Sequence, residues 1–278
     1  MEQFLDIIKK YSIQPNLYLD QHFMIDKEII KKIIEFGQIK KTETVLEIGA
    51  GLGFLTKEIA RHAKKIVAVE IDKELANVIK RETKKLDNIE IIQGNALDLI
   101  HKIKFDKIIS NTPYLITEAL IQKLIYCNFK TAVLTLPKHF FEILNAKEDN
   151  SQYSRLSIFF QCFFSIKYLL SIPKEAFYPE SGSKDIVIEI KKLTESDYKK
   201  NPEKYIIKEL FLQKTKKIKN SLMEAIINYN KLSGKAVTKK QAKKIIKGLG
   251  LNNKLLEKQI KGIDLNGLKT IIYIANKF

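Results

Sequence analysis

Thr44-Val45-Leu46-Glu47-Ile48-Gly49-Ala50-Gly51-Leu52-Gly53 joins a short apolar run to three glycines at alternate positions. The run reads as a buried strand and the glycines as the turn that feeds it into a helix, because Phe54 to His62 has helical spacing. The pattern then repeats. Lys65 to Glu70 reads as a strand, Asp72 to Leu86 as a charged helix and Ile89 to Gln93 as a third strand. This βαβαβ alternation predicts an α/β fold of Rossmann-like type, a parallel sheet with helices on both faces.

Working outward, residues 1–42 read as helices around a loop at Gln14-Pro15-Asn16. Downstream, Phe105 to Ser110 is a short strand that delivers Asn111, Glu118 to Tyr126 is helical, and Thr131 to Leu136 is a buried strand ending at Pro137. Strand-like runs at Phe163 to Ser171 and Asp185 to Lys191 are close enough to pair antiparallel at one sheet edge. From Leu193 onward the chain changes to lysine-laced helix, with glycine stops at Gly234, Gly248, Gly250, Gly262 and Gly267. Residues 1–192 are therefore expected to form the sheet domain and residues 193–278 a small, basic, all-helical one.

The 278 residues carry a net charge of +17, which points to a polyanionic partner. Only Arg61, Arg81 and Arg155 are arginines, so the charge is nearly all lysine, suited to meeting phosphates as point charges. Cys127 and Cys162 lack CxxC or Cys/His spacing, and no metal or disulfide is implied. The most apolar stretch, Leu156 to Leu170, is broken by Gln161, Ser165 and Lys167 and is too short for a membrane span. With an acidic N-terminus where a secretory signal would be basic, a cytoplasmic protein without membrane contact is expected.

The glycine turn has GxGxG spacing, neither the GxGxxG of dinucleotide folds nor a GKS/GKT phosphate loop. Alone it suits nicotinamide, flavin or nucleoside sulfonium cofactors. Glu70, at the tip of the next strand, is placed to accept hydrogen bonds from both hydroxyls of a ribose, leaving Asp72 to cap the following helix. Asn95 and Ala96 close the third strand, where an amide oxygen and a backbone N–H fit an adenine edge.

Asn111-Thr112-Pro113-Tyr114 sits at the carboxyl end of a strand, where open α/β sheets bind ligands. Methylating an aromatic amine requires its delocalised lone pair to be localised and aimed. The Asn111 amide oxygen and the Thr112 carbonyl can each accept one N–H of such an amine, Pro113 fixes the bend, and Tyr114 can stack on the base. Phe177 is a candidate for the other face of the base.

These motifs, in this order, resemble the ribosomal RNA adenine dimethyltransferase family of the KsgA type, with its eukaryotic and archaeal relatives and the Erm methyltransferases. Asp20-Gln21-His22-Phe23-Met24-Ile25-Asp26 is similar to the family's Gly-Gln-Asn-Phe-Leu-x-Asp, and the likeness continues through Glu70-Ile71-Asp72, Gly94-Asn95-Ala96-Leu97 and Tyr153-Ser154-Arg155-Leu156-Ser157 to Phe211-Leu212-Gln213-Lys214. The resemblance implies a class I methyltransferase sheet, S-adenosylmethionine as donor, and adenine near the 3′ end of small-subunit ribosomal RNA as target. The protein would act as a monomer on an immature small subunit. It places Gln21, His22, Met24, Gly49, Gly51, Glu70, Ile71, Asn95, Ala96 and Asn111 around the cofactor, with Asn111 bridging to the target. It also implies an RNA-docking role for the tail and assigns RNA contacts to Arg155, Lys214, Lys217, Lys239, Lys240, Lys243, Lys244 and Lys247. Departures from the pattern are His22 for Asn, Met24 for Leu, Asn95 for Asp, Thr112 for a bulky apolar residue, and Ser181-Gly182-Ser183-Lys184-Asp185 where the family has Pro-x-Val-x-Ser. Two other functions use the same features: an RNA-binding assembly or transcription factor with little catalysis, and a methyltransferase of large-subunit RNA.

Overall fold

The computed structural model describes residues 2–276. Nine strands occur among them: β1 (Phe23–Met24), β2 (Thr44–Ile48), β3 (Lys65–Glu70), β4 (Ile89–Gln93), β5 (Lys107–Asn111), β6 (Thr131–Pro137), β7 (Phe164–Ile172), β8 (Phe177–Tyr178) and β9 (Asp185–Lys192). Seven form one sheet in the order β4-β3-β2-β5-β6-β9-β7. The pairs from β4 across to β6 are parallel, and β9 runs antiparallel to β6 with Asp185 opposite Pro137. The chain moves outward from β2 through β3 to β4, then returns to the other side of β2 as β5. That reversal opens a crevice between the carboxyl ends of β2 and β5.

The central strands are buried on both faces, which is why they read as continuous apolar runs and not as alternating ones. Helix Lys27–Gly37 packs Ile29, Ile30, Ile33 and Ile34 into the same core as Val45, Ile66 and Ile109. Gly37 lets the helix end approach β5 closely, since a Cβ would lie 2.4 Å from the end of the Ile109 side chain and would push it aside. A second apolar cluster seats helix Glu2–Tyr11 through Phe4 and Ile7 on Phe23, Leu52, Leu75 and Val78.

The first unit comprises residues 1–141 and 166–192, and the second comprises residues 142–165 and 193–278. A single boundary at residue 193 does not capture the excursion 142–165. That segment carries helix Arg155–Phe163, an apolar stretch without a marked helical period, so no local pattern sets it apart from the sheet domain. Its backbone and side chains bond within the second unit: Leu193 N–H donates to the Phe163 carbonyl and the Tyr198 hydroxyl to that of Cys162.

In the second unit, helix Pro202–Leu212 packs against Arg155–Phe163, Ile218–Leu232 and Leu265–Ala275. Ile206, Ile207, Leu210, Leu222, Ile226 and Leu268 form its interior. Gly267 is not a helix stop as expected. It lies in the first turn of Leu265–Ala275, where a Cβ would meet Ile263 at 2.6 Å, so close packing and not termination selects glycine.

Candidate active site

Residues from the ends of β2, β3, β4 and β5, together with the loop before β1, line one pocket of about 1110 Å³ of empty space, counting its open mouth. It contains the expected Gln21, His22, Met24, Gly49, Gly51, Glu70, Ile71, Asn95, Ala96 and Asn111 to Tyr114. Phe177 is absent from that lining.

One wall is held in shape by hydrogen bonds within the protein. Gly49 has φ +74°, and a Cβ there would come within 2.9 Å of the Pro113 ring, so glycine lets the two loops meet. The Gly51 amide, at φ +57°, donates to Glu70 Oε2 at 2.8 Å, and the Asp72 amide donates to Oε1 at 3.0 Å. Burial pushes the Glu70 carboxyl up, while the Asp72 and Gly51 amides pull it back in part. Each oxygen keeps a lone pair for a ligand hydroxyl. Asp72 caps helix Lys73–Glu82 through the Glu74 and Leu75 amides, as its position suggests. Asn95 caps the short helix Ala96–Leu99: its Oδ1 accepts from the Leu97 amide at 2.9 Å. One lone pair of that oxygen is therefore already committed.

Gln21 is spent on the framework. Its Oε1 accepts from the Asn16 amide at 2.8 Å and its Nε2 donates to Asp72 Oδ2 at 2.9 Å, which ties the N-terminal loop to the helix after Glu70. The His22 Nδ1–H donates to the Pro179 carbonyl at 3.0 Å, and the His22 carbonyl accepts from Asn111 Nδ2 at 3.0 Å. The backbone of this position, not its side chain, holds Asn111.

The opposite wall is left incomplete. Asn111 Oδ1 is buried and has no hydrogen-bond partner among the described residues. A buried acceptor without a partner costs about 1–3 kcal/mol, so it is a place where a ligand donor fits. Thr112 is buried. Its Oγ1 donates to Ser110 Oγ at 3.3 Å, and Ser110 donates to the Ile48 carbonyl at 2.6 Å, so a polar chain runs from this position into the end of β2.

Tyr114 is fixed at both ends. Its amide donates to Asp20 Oδ2, and its hydroxyl faces Asp185 with the hydroxyls of Ser181 and Ser183 beside it. Burial first, then the Asp185 charge, pushes that phenol above its ordinary value. Asp185 is itself buried, takes a hydrogen bond from Ser183 Oγ at 2.5 Å, and leaves Oδ2 without a partner among the described residues. The departing segment 181–185 thus brings hydroxyls and a carboxylate to the edge of the tyrosine.

Phe177 stands corrected as a base-contacting ring. It is 2% exposed within the sheet core, and it pairs through β8 with Met24 of β1. It therefore supports the pocket from behind.

Four further lining residues have no role in the sequence reading. Asp20 adopts φ 56°, the left-handed region that glycine fills most easily and that aspartate tolerates better than most residues. That explains how aspartate replaces the glycine of the resembled motif, and its carboxylate then latches the Tyr114 loop. Glu47 lines the pocket fully buried, accepts from Thr56 Oγ1 at 2.6 Å, and is pushed up to about 8 by burial and the nearby Glu70. A carboxylate inside a buried strand was the available signal. Leu115 and Ile116 extend the mouth beyond the tyrosine.

In the second unit, Arg155 is tied down. Its guanidinium donates to the carbonyls of Ile263 at 2.8 Å and Ile260 at 2.9 Å and lies 5.7 Å from the Phe211 ring centre, so it organises the second unit and is not free for phosphate. Lys217 pairs with Glu257 at 2.8 Å. Lys214 is exposed. Lys239, Lys240, Lys243, Lys244 and Lys247 are exposed on helix Lys239–Gly248 and form no ion pair among the described residues. At about 100° per residue they share an arc of roughly 140° that begins beside the buried Ile246 and turns away from Ala242. No group of three or more His, Cys, Asp or Glu among the described residues is arranged to hold a metal, and no described helix is long and apolar enough to cross a membrane.

The chain is similar to known proteins in sequence and in fold. The chain is 34% identical over 219 residues to a probable ribosomal RNA small subunit methyltransferase A of Pyrococcus abyssi, covering 79% of this chain and 80% of that protein. It is 30% identical over 233 residues to the ribosomal RNA small subunit methyltransferase A of Clostridium botulinum, covering 80% and 85%. A dimethyladenosine transferase from Plasmodium falciparum superposes with a TM-score of 0.62 at 26% identity, covering 92% of this chain and 98% of that one. The 23S rRNA methyltransferase ErmE shares the fold at a TM-score of 0.57 and 17% identity, over 91% and 99% of the two chains. Residues 14–254 match the family model described as ribosomal RNA adenine dimethylase, a span that takes in every wall of the pocket, and the chain belongs to that family.

Proposed function

We propose that this protein transfers methyl groups from S-adenosylmethionine to the exocyclic amine of adenine in small-subunit ribosomal RNA near its 3′ end, giving dimethyladenine on an immature subunit. The observation that carries the reading is the partnerless Asn111 Oδ1 on the pocket wall, an acceptor that an N–H donor would satisfy. When bound, the sulfonium supplies an activated methyl and a good leaving group.

The residues fit such a donor. Gly49 and Gly51 expose backbone at the turn, Glu70 offers a lone pair on each oxygen to ribose hydroxyls, and Ile71, half exposed, offers an apolar face to an adenine ring. Asn95 and the Ala96 amide would meet the adenine edge, the former with the lone pair its cap leaves free.

On the target side, Asn111 Oδ1 and the Thr112 carbonyl would each accept one N–H of the amine, drawing the nitrogen toward tetrahedral geometry with its lone pair aimed at the methyl carbon. Tyr114 would stack on the base, held by Asp20 and Asp185. No general base is needed before transfer, because the amine proton becomes acidic only once nitrogen carries the methyl. The target base must leave its stack to present that amine. Lys239, Lys240, Lys243, Lys244 and Lys247, with Lys214, would meet phosphates.

Mass spectrometry of ribosomal RNA from cells with and without the protein tests this. Dimethyladenine should be lost from the small-subunit RNA. Unchanged small-subunit modification would contradict the proposal, and loss confined to large-subunit RNA would reassign the substrate.

A further inference from the structure

The two most exposed large apolar side chains among the described residues are Tyr18, 95% exposed, and Leu115, 73% exposed. Both stand on segments that border the same pocket. Leu115 follows Tyr114 and is itself part of the lining, and Tyr18 belongs to the turn Leu17–Leu19 that runs into the pocket-lining segment Leu19 to Met24. Asp20 ties the two segments to each other, since its carboxylate accepts the Tyr114 amide and also the amide of Leu115.

The turn that carries Tyr18 is not loose. Asn16 Oδ1 accepts the Tyr18 amide at 3.0 Å, the Asn16 carbonyl accepts the Leu19 amide at 3.1 Å, and the Leu17 carbonyl accepts the Asp20 amide at 3.1 Å. Gln21 clamps the turn from below through Asn16 and Asp72. A hydrogen-bonded turn of this kind fixes the backbone under a ring that stands in water. Leaving the Tyr18 ring, Leu17 and Leu115 in water forgoes burial, and a group of exposed apolar side chains at a pocket mouth marks a contact surface.

We propose that Tyr18 and Leu115 form a stacking lip for the bases of single-stranded RNA on either side of the nucleotide in the pocket. The proposal rests on the RNA-adenine reading above and deepens it. A basic protein with an apolar lip at its pocket suits unstacked nucleic acid, whose bases offer π-faces and whose phosphates offer charge. The lip is sequence-tolerant, because any base can stack. It would grip the strand while Asn111 and Tyr114 handle the target itself.

The chain contains no tryptophan, so Tyr18→Trp installs a single indole reporter at an exposed site. The probe is a single-stranded RNA of about 12 nucleotides with one central adenine among uridines, followed in parallel by anisotropy of a labelled strand. The expected result is at least about twofold quenching of the indole emission on binding, and loss of that quenching when the nucleotides flanking the adenine are abasic. In steady-state transfer, Tyr18→Ala and Leu115→Ala should each raise KM for the RNA by about tenfold with kcat retained, and Tyr18→Phe should behave as the parent. RNA that binds by anisotropy with the indole emission unchanged, or quenched equally by the abasic strand, overturns the proposal. A shift of that emission with anionic lipid vesicles but not with RNA also overturns it. Quenching by RNA in a protein that methylates no adenine would retain the lip and refute the methyltransferase reading.

Discussion

The two walls of the pocket solve opposite problems. Around Glu70, Asp72, Gln21 and Asn95 nearly every polar group is bonded to another part of the protein, so that wall exists in its final shape without a ligand. Across from it, Asn111 keeps a buried acceptor without a partner among the described residues. A completed wall binds by complementarity to a preformed surface. An incomplete one favours whatever donor finishes it, and so is the place to locate selectivity for an amine.

Breaking the incomplete wall is the most damaging change. Asn111→Ala should slow methyl transfer by about 10²–10³-fold, the scale expected for one preorganised hydrogen-bond group at a reacting centre. Breaking the completed wall has a different signature. Glu70→Ala should weaken donor binding by about 10–100-fold in calorimetry while RNA affinity stays within about twofold. Asp185→Asn keeps the shape behind Tyr114 but removes its charge. It should cost about three- to tenfold in kcat/KM with donor affinity unaltered, and equal loss in both would show that Asp185 serves only the fold.

Two glutamates four residues apart sharpen the contrast through pH. Glu43 sits below the sheet with Lys130 and Lys107. Although burial raises its carboxyl, those partners and the Lys40 amide hold it near 2, so its contribution is present above about pH 4.5 and is lost as pH falls. Glu47, facing the pocket, has the opposite sign. Its folded value of about 8 lies above the ordinary 4.5, so the unfolded chain releases the proton first and stability falls as pH rises between them. Glu47→Gln should remove that loss, gaining on the parent by about 1–3 kcal/mol in denaturant titrations between about pH 5 and 8. The smallest effect belongs to the lysine arc. Changing Lys243 and Lys244 to Gln should lower the slope of log affinity against log salt by about 1.4–1.8, and an unchanged slope would remove those side chains from the RNA contact.

Much of this is written in local sequence. The run Thr44 to Ile48 with Gly49, Gly51 and Gly53 announces β2 and its turn, and the strand-helix alternation after it gives the parallel half of the sheet. What local sequence does not hold is partnership at a distance. Phe177 reads as a ring over the base, yet its pairing with Met24 puts it in the core, and nothing local distinguishes the two faces of a two-residue strand. Arg155 reads as a phosphate contact, but its carbonyl partners, on Ile260 and Ile263, lie far along the chain. Asp20 and Asp185 carry no local sign of their role. Their effect on Tyr114 depends on three segments meeting in space.

The central claim is that Asn111 Oδ1 is kept without a partner for the target amine. Its most direct test is a paired measurement on Asn111→Ala: donor affinity by calorimetry and single-turnover methyl transfer to the same RNA. Transfer should fall by about 10²-fold or more with donor affinity changed by no more than about threefold. Equal loss of donor affinity and transfer, or transfer close to the parent's, would contradict it.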